Sequence, residues 1–222
     1  MEIKKYIGKG TAANIPSTIE GISVTKIGVQ AFDCCAELES VTIPNSVKKI
    51  DVSAFAGCSG LTNVIIPNGV TEIGQAAFAQ CSSLTSIVLP DSLTKLDSLV
   101  FAECTGLKSV EIPKSITVIS EFEFSLCTGL TSVIIPDSVQ IIQDDAFLQC
   151  SGLTSITIPN SVTKIGYQAF AGCTGLKNVI IPNSVTEIST DAFNVCNANI
   201  TYKGKTYTPD NYGELYKAIN GN

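Results

Sequence analysis

The sequence predicts an α/β repeat solenoid, a single elongated stack of short and similar turns. Phenylalanine recurs at Phe32, Phe55, Phe78, Phe101, Phe124, Phe147, Phe170 and Phe193, a constant step of 23 residues. Cysteine keeps the same step from Cys35 to Cys196, and proline keeps it from Pro44 to Pro182. A fixed period of this kind marks units that cannot bury a face alone and must stack on their neighbours. Length alone, 222 residues, would suit one or two domains; the unbroken period makes it one.

Taken in order, residues 1–27 read as an N-terminal cap, with strands at Ile3–Ile7 and Thr11–Ile15 around the turn Gly8-Lys9-Gly10. Gly8-Lys9-Gly10-Thr11 is no phosphate loop, since the upstream glycine and the following helix pattern are both missing. Pro16 and Pro44 stand 28 residues apart, five more than one repeat, and the surplus falls at Ser17–Gly21. A loop or small hairpin there would cover the first core layer, because terminal turns need a different outer face.

Residues 28–199 are the repeats, and each has the same internal logic. In Leu153–Ile158, Ile156 and Ile158 alternate with Ser155 and Thr157, so one side of a strand turns inward. Pro159 ends that strand, because proline lacks a ladder donor and keeps its predecessor extended. Asn160-Ser161 supplies turn chemistry, and Val162 and Ile165 mark a returning segment that Gly166 bends. The stretch Ala169–Cys173 is too short for a long helix, and a single turn of helix or 3₁₀ is expected there. Strands stacked ~4.8 Å apart would make the repeats span roughly 35–40 Å.

Residues 200–222 read as a C-terminal cap with a short helix after Pro209. Asn211 with Glu214 three residues on forms a capping-box pattern. Tyr212, Leu215, Tyr216 and Ile219 then make an amphipathic stripe suited to sealing the last core layer.

The recurring pattern Ile-Pro-x-Ser-Val-x-x-Ile-x-x-x-Ala-Phe-x-x-Cys-x-x-Leu, seen at Ile158–Leu176, resembles the BspA-like leucine-rich repeat family. The resemblance covers about residues 11–200, and Ile200–Tyr207 resembles the closing segments of such proteins. It implies a right-handed leucine-rich-repeat superhelix with a parallel sheet on one face and short turns or helices on the other. It also implies a non-catalytic protein-binding or adhesion module of a microbial cell-surface or secreted protein. Three positions depart from the pattern: Val100 and Glu123 replace alanine, and Lys114 replaces Asn or Asp.

Composition narrows the function classes. A net charge of −6 with scattered Lys and Arg argues against nucleic acid, which needs clustered cations. No apolar run approaches the ~20 residues of a membrane span, and Met1–Tyr6 carries no signal-peptide core. With no histidine, the chain has neither a Ser-His or Cys-His nucleophile pair nor a histidine metal ligand. An acidic column at Asp91 and Asp137 is broken by Lys114, so it builds no metal stack, and the ladder Lys49, Glu72, Lys95 reads as surface charge pairing. The expectation is a monomeric, non-enzymatic chain that needs no cofactor.

The nine cysteines lie whole repeats apart with no Cys-x-x-Cys, which points to a buried ladder of small apolar side chains. Cys34-Cys35 is the exception, with one thiol at the surface. Free thiols favour a reducing compartment, whereas the resemblance favours the cell surface or secretion; buried thiols weaken the first argument.

One recognition surface stands out. The outward strand column runs Thr42, Ile65, Val88, Glu111, Ile134, Thr157, Ile180, beside a small polar column from Ser40 to Asn178. Aliphatic residues facing water next to small polar groups suit protein docking, although β-branched residues also simply suit strands. A second candidate patch is Leu99 and Phe122, near Leu126, at a usually polar repeat position. The competing account is a structural spacer or intracellular scaffold with no ligand of its own, for which no exposed apolar face would be needed.

Overall fold

The computed structural model describes residues 1–221. Two parallel ladders run along the stack, one on each side of the turns. On the strand face, Ala12–Asn14, Ser40–Thr42, Asn63–Ile65, Ser86–Val88, Ser109–Glu111 and Ser132–Ile134 pair in sequence order. Asn178–Ile181 and Asn199–Tyr202 continue that face, and Lys205–Tyr207 folds back antiparallel on Asn199–Tyr202. The return segments, two residues each, build the second ladder, first from Glu2–Ile3 to Lys95–Leu96 and then from Val118–Ile119 to Glu187–Ile188. Registers such as Ile65 with Val88 and Lys49 with Glu72 repeat the 23-residue step, so every column in the sequence is a column in space.

The core is the stacked columns themselves. Phe101 and Phe147 are fully buried, and so are their equivalents in neighbouring turns. Successive rings from Phe124 to Phe193 stack with centroids 5.2–5.3 Å apart. Tyr6 continues the stack at one end, 4.9 Å from Phe32, and Tyr212 closes it at the other, tilted by 58° against Phe193. From Cys58 to Cys196 each thiol is buried, whereas Cys34 is exposed and Cys35 half-buried. These thiols also bond: Cys150 Sγ–H donates to the Phe124 carbonyl at 3.0 Å, and Cys173 does the same to Phe147 at 3.1 Å. Cysteine is small and apolar enough for a buried column, and its thiol adds a second donor to a carbonyl that already accepts a backbone N–H of its own turn. Burial pushes the Cys127 thiol up to about 12, which keeps it an inert thiol rather than a nucleophile.

Several local expectations need correcting. The segment around each phenylalanine forms no helix. From Phe32 to Phe170, residues two before and two after it adopt left-handed backbone, as Asp145 (φ 57) and Gln149 (φ 57) do around Phe147; at Phe193 only Val195 does. Alternate N–H groups then point along the stack: Asp145, Phe147 and Gln149 donate to Tyr167, Ala169 and Ala171 of the next turn. This is a ladder bond at every second residue, which a 3₁₀ turn could not offer because its donors point back into its own turn. Ile156 and Ile158 are buried as expected, but Ser155–Ile158 make no strand pairing, and the face is interrupted there. The N-terminal strands are shorter than expected, Glu2–Ile3 and Ala12–Asn14, while the surplus residues do form a hairpin of Thr18–Ile19 with Ile22–Ser23.

At the C-terminal end a 3₁₀ turn, Pro209–Asn211, precedes helix α1 (Tyr212–Asn220). Asn211 is therefore not the partner of Glu214 in a capping box. Its Oδ1 accepts the Thr208 N–H at 2.8 Å, and Glu214 pairs with Lys205 at 3.1 Å instead. Proline at the first position favours starting the turn early. The four stripe residues are buried, and the helix supplies by side chain what a further turn would supply by backbone. Asn220 accepts from the Ile188 N–H at 2.9 Å and donates to the Ile188 carbonyl at 2.8 Å. Tyr216 Oη accepts the Phe193 N–H, and the Tyr212 hydroxyl donates to the Ala198 carbonyl at 2.5 Å. Open ladder groups at the end of the stack thus find partners.

Candidate functional site

Strand alternation sets the site. Val64 and Ile66 are buried, so Ile65 between them must face water, and it is 70% exposed. The same geometry leaves Val88 62%, Ile134 59% and Ile180 71% exposed, with Thr42, Glu111 and Thr157 exposed in the same column. Ile65 and Val88 stand in direct register, as do Glu111 and Ile134. Between this column and the Pro-x-Ser turns run shallow grooves. One is floored by Ile65 and Val88 and walled by Asn45 and Asn68; another holds Val88, Glu111 and Ile134 against Asp91 and Lys114. Glu111 is the only charge in the column, and it makes no ion pair among the described residues.

The second candidate patch is not brought into this strip. Leu99 (φ 64), Phe122 (φ 55) and Leu126 (φ 61) occupy the left-handed positions flanking their phenylalanines, and all three are half-buried. Leu126 lines a separate groove with Gln80, Glu103 and Thr128.

Charged groups elsewhere pair along the stack. Lys49 reaches Glu72 at 3.2 Å, but Lys95 turns to Asp97 at 3.0 Å, so the expected Lys-Glu-Lys ladder is only half formed. Asp51 is the best-anchored carboxylate. Burial alone would raise its pKa, yet Lys26 at 2.6 Å and the Val52 N–H together hold it below the usual range. Among the described residues, no three His, Cys, Asp or Glu side chains converge as metal ligands, and no helix is long and apolar enough to cross a membrane.

Two features escaped sequence reasoning. The thiol-to-carbonyl bonds had a signal, a constant offset of 26 residues between each phenylalanine and the cysteine of the next turn. Glu123 was visible as a departure from the alanine column, but its complete burial was not.

The BspA type leucine-rich repeat region model matches residues 25–154 and 142–208, in six copies. Similar solved structures include a leucine-rich cell surface protein of Faecalibacterium prausnitzii, 29% identical, with a TM-score of 0.72 over 90% of this chain and 72% of that one. A leucine-rich repeat protein of T. pallidum is also 29% identical, with a TM-score of 0.61 over 99% of this chain and 87% of its own. One from Eubacterium ventriosum is 28% identical, with a TM-score of 0.68 over 77% of this chain and 45% of that chain. Among curated proteins none matches. Periodicity, ladder geometry and relatives agree, and the chain belongs to the BspA-type leucine-rich repeat family.

Proposed function

We propose that the chain is a non-catalytic protein-binding module whose recognition strip is the exposed strand column Ile65, Val88, Glu111, Ile134 and Ile180, carried by the repeat body 28–199. The observation behind this is exposure: four aliphatic side chains along one face are 59–71% open to water although strand geometry alone does not demand aliphatics there. Thr42 and Thr157 show that a polar β-branched residue fits the same column. A spacer would have no use for these aliphatics. The partner is a protein on a host or neighbouring cell, and the setting is the cell surface or its exterior. Support for that setting comes from the F. prausnitzii relative, described as a cell surface protein.

The test uses two immobilised baits, wild type and Ile65→Thr/Val88→Thr, exposed to the same solubilised surface proteins. A partner retained by wild type should bind the double variant at least about tenfold more weakly by calorimetry, ~1.4 kcal/mol. Equal affinity would remove the strip and promote Leu99 and Phe122.

A further inference from the structure

Glu123 stands where Ala54, Ala77, Ala146, Ala169 and Ala192 stand in other turns. It is 1% exposed, and neither carboxyl oxygen has a hydrogen-bond partner. Its backbone is tied to the preceding turn, the Phe101 N–H donating to the Glu123 carbonyl at 3.1 Å, but the return ladder of the same boundary is interrupted. In the flanking turns the return ladder is continuous: Asp97 N–H donates to Ile73 at 3.0 Å, and Gln143 N–H to Ile119 at 3.0 Å. Between Lys95–Leu96 and Val118–Ile119 that ladder is missing, and the two sets of return strands are separate sheets. Side-chain hydroxyls span the gap instead: Ser120 donates to the Leu96 carbonyl at 2.9 Å, and Ser115 to the Leu93 carbonyl. Phe101, on the near side of the boundary, is the most loosely stacked phenylalanine, 6.1 Å from Phe78 and 5.6 Å from Phe124. Val100 adds bulk where alanine is usual, and Leu99 and Phe122 hold left-handed backbone that costs a large side chain strain.

We propose that the boundary between the Phe101 and Phe124 turns is a gate, closed while Glu123 is protonated and parted when that carboxyl ionises. The strand face is its hinge, because Ser109–Glu111 and Ser132–Ile134 stay paired at all three residues. The groups around Glu123 offer it no cation. From the preceding turn it faces Asp97, whose charge is engaged with Lys95; on its own turn Cys127 is the titratable neighbour, and Glu121 is acidic. The following turn adds Asp144 and Asp145 near Glu121. Among the described residues, a proton is thus the counterweight left to this carboxyl. Burial, and then the Asp97 charge, hold its pKa well above the usual carboxylate range. A carboxyl raised in the folded state stabilises closure fully below its ordinary pKa, and that contribution is lost as pH rises through the folded value. Ionisation would draw water toward a boundary whose return ladder is already absent and set a second negative charge against Asp97.

Native-state hydrogen exchange tests this on wild type, Glu123→Gln and Glu123→Ala. The reporters are the Leu99 and Phe101 amides, which donate to Glu121 and Glu123 across the boundary; the controls are Phe55 and Phe147. Alanine occupies the same place in other turns, so the Ala variant tolerates the slot, and Gln keeps the shape without the proton. Comparing proteins at each pH cancels intrinsic exchange. The gate predicts that wild-type opening at the reporters, relative to both variants, grows at least about tenfold from about pH 6 to about pH 9. A ratio that stays flat with pH overturns it. Equal growth at Phe55 and Phe147 overturns it too, since ionisation would then loosen the whole stack.

Discussion

The turns around Phe147 and Phe170 and those around Phe101 and Phe124 follow one template and are built differently. At Phe147 the rings lie 5.3 Å from both neighbours, both ladders' columns carry consensus residues, and Ala146 fills the small slot. Around Phe101 the rings are 6.1 and 5.6 Å apart, Val100 and Glu123 occupy alanine positions, and the return ladder is broken. In a solenoid each interface depends only on its two turns, so a departure in one column weakens one boundary and leaves the others intact. Regularity is therefore a local energy term as well as a sequence pattern.

The largest effect should come from Phe147→Ala, a loss of ~3–5 kcal/mol by urea unfolding, because the tightly stacked neighbours cannot collapse into the void. Phe101→Ala should cost about 1 kcal/mol less, since its neighbours already stand apart and the transfer term dominates. Equal costs would erase the distinction between the two regions. Glu123→Ala comes next and has the opposite sign: removing an unpartnered buried carboxyl should stabilise the chain by about 1–3 kcal/mol at neutral pH. A shift of roughly 2–4 °C in Tm per kcal/mol is the corresponding calorimetric signal. The gain should shrink as pH falls from the raised folded value toward the ordinary carboxylate range, and should vanish below that range, because wild type has by then recovered its stability. Smallest of all, Ile65→Thr/Val88→Thr should leave the unfolding midpoint within about 0.5 kcal/mol, as substitutions away from packed features do. A larger loss would mean that the column packs against something rather than facing water.

Most of the architecture was legible because burial follows period. Phe, Cys and Pro columns announce stacked turns, and the alternation of Val64, Ile65 and Ile66 places the strand strip without coordinates. The left-handed residues were not legible, since Gln, Ser, Ala, Leu, Phe and Asp share one of these positions and only Gly57 and Gly172 carry the usual signature at the other. The break in the return ladder was hidden for another reason. Val100 and Glu123 are visible as exceptions, but whether an exception opens a boundary depends on what the adjacent turn offers it. The closure by Asn220 and Tyr216 was equally hidden, because it joins residues 32 and 23 positions apart.

Urea unfolding followed by hydrogen exchange along the chain tests the central claim, that the boundary between the Phe101 and Phe124 turns is weaker than those on either side of it. Wild type should lose protection in two steps, with Phe55 and Phe78 amides reporting one midpoint and Phe147 and Phe170 another, and the steps should merge in Val100→Ala/Glu123→Ala. A single coincident transition in wild type would contradict it.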